Sequence, residues 1–136
     1  MKKYLILGAC LLMSACAFGQ KLVNTAEFKE IIWDFEANPN TVVMKSDIPV
    51  ILDFYADWCK PCKMLTPELK ALLKEYDGRL VVYKINVDED RELAKLFRIQ
   101  YLPTLYFIAK DGKTTFVQGF RTKDELRQIV ESFLMK

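Results

Sequence analysis

The feature that most constrains this chain is a pair of short apolar runs, Val50 to Tyr55 and Leu80 to Val87, separated by one helical pattern. A run of this length without polar alternation suits a strand buried on both faces of a sheet. Between the two, Leu65, Leu69, Leu72 and Leu73 recur at helical spacing within about Cys59 to Tyr76, and Asp77-Gly78 ends the pattern. Two such strands joined through a helix give a parallel βαβ unit. The 136 residues suffice for one domain with a real core and are too few for two.

The flanking segments extend this unit. Asn24 with Glu27 three residues on reads as a helix start, and Phe28, Ile31, Ile32 and Phe35 continue at helical spacing until Asn38-Pro39-Asn40 stops them. A further helix is expected over about Asp90 to Phe97. Thr104 to Ile108 and Thr114 to Val117 flank the turn Lys110-Asp111-Gly112-Lys113, so they read as an antiparallel hairpin. Thr122 with Glu125 caps a last helix, whose buried stripe is Leu126, Ile129, Val130 and Phe133. The predicted class is α/β, a mixed central sheet with helices on both faces.

Composition narrows the chemistry. Half the residues are apolar, so a packed globule is expected, and twenty basic against eighteen acidic residues give no sign of a nucleic-acid partner. Histidine is absent, which removes the commonest general base and a common zinc ligand together.

Residues 1–19 read apart from the rest. Lys2 and Lys3 precede an apolar run from Tyr4 to Ala15, and small residues Ala17 and Gly19 stand just before Gln20. Charge, apolar stretch and small-residue cleavage site make an export signal, and the stretch is short of the ~20 residues that span a membrane. The expectation is a signal peptide over 1–19 and a domain over 20–136, in the bacterial periplasm. Met13-Ser14-Ala15-Cys16 also resembles a lipoprotein cleavage motif, with Met13 where leucine is usual; that alternative leaves a lipid-anchored chain starting at Cys16. Either way Cys10 is lost and the domain keeps Cys59 and Cys62.

Those two cysteines lie where the strand ending at Tyr55 turns into the helix. Residues three apart share a helix face at ~5–6 Å between Cβ atoms, and a tightened first turn can supply the ~3.5–4.5 Å of a disulfide. Unpaired N–H groups and the helix dipole favour a thiolate, most of all at Cys59, nearer the end. Pro61 fits the first turn, where its missing N–H costs nothing. A structural disulfide closing so small a loop would gain little, and two thiolates without histidine make a poor metal site. A haem attachment needs histidine after the second cysteine, where Lys63 stands. Redox chemistry is the reading that fits. Asp53 interrupts an apolar strand just before the pair, a costly place for a carboxylate without a role.

The segment Asp53-Phe54-Tyr55-Ala56-Asp57-Trp58-Cys59-Lys60-Pro61-Cys62-Lys63 resembles the active-site segment of thioredoxins. The resemblance covers about residues 21–136 and includes Pro67, Lys84, Leu102-Pro103-Thr104 and Gly119 in order. It departs at Lys60, where thioredoxins usually carry glycine, and in the leader. It implies the thioredoxin fold and a redox disulfide between Cys59 and Cys62. It also implies that Asp53 is buried behind the pair and helps move the proton of Cys62, with Lys84 as its partner. Trp58 then becomes a rim that shields the pair, and Pro103, after a cis bond, faces the cysteines in a substrate groove. Pro67 and Gly119 are read as structural, one breaking the helix ladder and the other admitting a partner backbone closely.

The expected activity is thiol–disulfide exchange with proteins bearing disulfides or thiols, through a mixed disulfide, with no cofactor and no metal. A membrane redox partner is expected to reset the pair, and a monomer is expected. Lys60 beside Cys59 tilts the pair toward the oxidising side. A binding module using the same groove is the competing reading; it would survive replacement of both cysteines by serine.

Overall fold

A computed structural model of the chain describes residues 19–136. The expected leader, with Cys10 and Cys16, therefore lies outside the described residues except for Gly19. Among the described residues no helix is long and apolar enough to cross a membrane.

In chain order the elements are β1 (Lys21–Leu22), α1 (Thr25–Ile31), β2 (Val50–Tyr55), α2 (Lys60–Tyr76), β3 (Val81–Asn86) and α3 (Arg91–Leu96). The hairpin β4 (Thr104–Ile108) and β5 (Thr114–Gln118) follows, then α4 (Lys123–Ile129), which runs on into one π-helical turn, Val130–Leu134. The five strands form one sheet in the order β1-β3-β2-β4-β5. β1, β3 and β2 run parallel, and the hairpin adds two antiparallel strands beside β2. This is the mixed sheet that the apolar runs and the hairpin predict.

Side-chain alternation along β2 divides the core. Val50, Leu52 and Phe54 pack on one face with Phe28 and Ile32 near α1 and Leu93 of α3. Ile51 packs on the other with Leu65, Leu69 and Leu72 of α2 and Leu126 of α4. All of these are fully buried, each stabilising the fold by ~1.5–3 kcal/mol through transfer from water. Two residues beyond Ile51, Asp53 must face the α2 side as well. That parity puts a carboxylate on the α2 side of the sheet.

Two local expectations are corrected, and one strand is added. The first helix ends at Ile31, although Phe35 continues the apolar spacing. Phe35 reaches the core from the following turn, edge-on to Trp33 and tilted against Phe28, so aromatic packing rather than helix accounts for its period. In the last helix the final buried position is Leu134, with Phe133 only half-buried. There the Met135 amide donates to the Val130 carbonyl, an i+5 bond of 3.0 Å. Leu126, Val130 and Leu134 therefore share the inner face. The strand β1 has no counterpart in the sequence reading, because two residues carry no period to detect.

Candidate active site

Cys59 is the N-cap of α2 and Lys60 its first residue. The two cysteines are joined as a disulfide with 5.3 Å between Cα atoms, the closed form of the expected pair. The Cys62 amide donates to Cys59 Sγ at 3.3 Å. The sulfur thus occupies the place of a capping oxygen, where an orphan N–H and the positive end of the helix favour charge on it. Both cysteines are buried among Ala56, Tyr55, Val87 and Leu102. Only Cys59 also lines an open groove of about 580 Å³. Lys60 and Pro61 extend its wall from the helix side, and Val87, Ile99 and Leu102 make its apolar floor.

Trp58 is 72% exposed, so it is a rim residue and no part of the core. Its indole N–H donates to Asp88 Oδ2 at 2.8 Å, which holds the ring in place over the groove. Across the groove stands Tyr101, 62% exposed. The Leu102–Pro103 bond is cis. Leu102 meets the groove, whereas Pro103 is buried beside it and its carbonyl accepts the Gly119 amide at 2.8 Å. Gly119 has φ +85°, so its requirement for glycine comes from backbone conformation; a Cβ there would meet nothing closer than Arg121 at 3.7 Å.

Asp53 is fully buried and is the register partner of Lys84 on β3. Lys84 Nζ donates to Asp53 Oδ2 at 2.7 Å, while Asp53 Oδ1 has no hydrogen-bond partner among the described residues. Burial pushes the Asp53 carboxyl above the ordinary carboxylate range, and the Lys84 charge opposes that shift without cancelling it. The acid and lysine named by resemblance are therefore brought together. The strand reading alone gave no reason to pair them, since register is not visible in one sequence.

Three participants escaped sequence reasoning. Thr66, one turn beyond Cys62, donates its hydroxyl to the Cys62 carbonyl at 3.3 Å and accepts from Lys84 Nζ at 3.4 Å. Gln20 Nε2 donates to the Thr66 carbonyl at 2.8 Å. Tyr101 is the third; an aromatic just before Leu102-Pro103 was the signal that could have found it.

Comparison with known proteins gives one answer. The sequence profile of the Thioredoxin family matches residues 22–132. A thioredoxin from Borreliella burgdorferi is 36% identical over 107 residues, covering 79% of this chain and 91% of that protein. One from Haemophilus influenzae is 36% identical over 106 residues, covering 77% and 98%. Among solved structures, chloroplastic thioredoxin z superposes with a TM-score of 0.68 at 31% identity, over 84% of this chain and 93% of that one. A mutant thioredoxin from Halobacterium salinarum gives the same score at 30% identity, over 85% and 91%. With the family profile spanning most of its length and a cysteine pair at the head of α2, this chain belongs to the thioredoxin family and is a disulfide oxidoreductase.

Proposed function

We propose that the protein exchanges disulfides with other proteins outside the cytoplasm, with Cys59 as attacking thiolate and Cys62 as resolving thiol. The observation that carries this reading is the place of Cys59, an N-cap sulfur that opens onto an apolar groove while Cys62 lies one turn inside. The Cys59 thiolate attacks one sulfur of a substrate disulfide. A mixed disulfide forms, and the other substrate sulfur leaves and takes up a proton. Cys62 then gives its proton to Asp53 through an intervening water and attacks Cys59, releasing the second substrate thiol. Two electrons pass from the pair to the substrate, and the same steps in reverse insert a disulfide. Lys84 holds Asp53 in position, and Lys60 favours the thiolate at Cys59. A membrane redox partner returns the pair to its working state.

Substrate chains are gripped between Trp58 and Tyr101. The indole is pinned by Asp88 and the phenol ring is free, so an apolar or aromatic side chain beside the reactive cysteine has two aromatic faces to bury against. Tyr101→Ala should raise KM for a protein disulfide about tenfold with kcat little changed, the cost of one aromatic contact. An unchanged KM would remove Tyr101 from the groove's function.

Export through residues 1–19 completes the reading, its support being the charge, apolar run and small residues of that segment. N-terminal sequencing of the protein from its native host should give a chain starting at Gln20, or a lipidated Cys16. A mature chain starting at Met1 would sink the extracytoplasmic role.

A further inference from the structure

Between the cysteine turn and the buried acid lies a hydroxyl that joins them. Thr66 Oγ1 donates to the carbonyl of Cys62 and accepts from Lys84 Nζ, and the same ammonium donates to Asp53. The Lys84 side chain keeps 16% exposure, and its ammonium also lies 4.4 Å from the centre of the Tyr55 ring. Release of the hydroxyl would let the ammonium move toward solvent and away from the carboxylate. Gln20, by donating to the Thr66 carbonyl, holds the helix turn that carries the hydroxyl. Pro67 follows directly, so this is a stretch where the helix ladder has one donor fewer and side-chain bonds have room to act.

We propose that Thr66 is a positioning residue for the dithiol chemistry, holding Lys84 against Asp53 and tying that ion pair to the turn of the resolving cysteine. This rests on the proposed role of Asp53 as acceptor of the Cys62 proton. Among the described residues, the charged and titratable groups that act on Asp53 are Lys84 from β3 and Tyr55 from its own strand; its β4 register partner is the apolar Leu105. Of these Lys84 is the group that favours the carboxylate against burial, so a contact that positions Lys84 bears on how readily Asp53 ionises.

The test compares Thr66→Val, which keeps the shape and removes the hydroxyl, with Thr66→Ser, which restores it, both in the full chain. The first readout is an NMR titration of the Asp53 carboxyl in the disulfide form. Thr66→Val should move its midpoint upward by about half a unit, the effect of one hydrogen bond, and Thr66→Ser should return it. The second readout is stopped-flow reduction of oxidised glutathione. The resolving step should slow about three- to tenfold near neutral pH in Thr66→Val, with the first attack unchanged. Neither readout uses a protein substrate, so failure to act on protein disulfides would sink the proposed function and leave the Thr66 result standing. An unmoved Asp53 midpoint in Thr66→Val would overturn the assignment, as would a shift that Thr66→Ser fails to reverse. A loss of thermal stability with both readouts unchanged would make Thr66 a helix residue only.

Discussion

Cys62→Ser will stop turnover and accumulate a protein joined to its substrate through Cys59. Cys59 holds the N-cap and the groove, so the first attack survives the change. The serine hydroxyl, one turn inside, is far too weak an acid to supply the second thiolate, and the mixed disulfide persists. Turnover should fall by at least ~10³-fold, as when a covalent nucleophile is removed. Cys59→Ser should lose activity equally and trap nothing. Non-reducing electrophoresis with peptide mapping distinguishes the two. A substrate adduct on Cys62 in the Cys59→Ser protein would exchange the roles assigned to the cysteines.

Asp53→Asn should slow the resolving step about 10²-fold, the range expected for loss of a positioned proton acceptor, while the first attack by Cys59 is unchanged. The same change should stabilise the fold near neutral pH by ~1–3 kcal/mol, because a fully buried carboxylate whose charge is disfavoured by desolvation is replaced by a neutral amide. Lys84 moderates this gain. The Lys84 partner expected from the resemblance is present as an ion pair at 2.7 Å. Burial still outweighs that pair, so the folded carboxyl titrates above its unfolded value. Stability from this group is therefore fully present below the ordinary carboxylate range and is lost as pH rises through the raised folded value. The advantage of Asp53→Asn should be absent in acid and grow with pH across that interval. Denaturation curves at several pH values test the sign. An advantage largest in acid would mean that the Lys84 pair dominates and that the carboxyl is lowered.

The parts of the fold readable from residue order are those with a strong period. β2 and the leucine face of α2 follow from an unbroken apolar run and from 3.6-residue spacing. Both capping boxes, Asn24 with Glu27 and Thr122 with Glu125, form as their spacing predicts. The failures have physical causes. Phe35 obeys the helical period from outside the helix, because a core filled by Phe28, Trp33 and Phe97 recruits aromatics regardless of backbone. The π turn shifts the C-terminal stripe by one residue, and no residue there announces it.

At the site, the cysteine pair was legible as chemistry, since spacing, helix position and the lack of other ligands all point one way. The Asp53–Lys84 pair was legible only by resemblance, because it depends on the register between two strands. Thr66 was not legible at all. A threonine inside a helix is ordinary in sequence, and its contacts join residues 4 and 18 positions away.

On the proposed mechanism, two electrons leave through Cys59 and Cys62 together. The direct measurement is a single-turnover experiment: the reduced protein is mixed with one equivalent of a disulfide-bonded protein, quenched in acid, alkylated and mapped by mass spectrometry. On this mechanism the first substrate thiol should appear with a transient adduct on Cys59, and the second at the rate at which Cys59 and Cys62 become jointly protected as their disulfide. Reduction of the substrate while both cysteines stay open to alkylation, or no reduction at all, would contradict it.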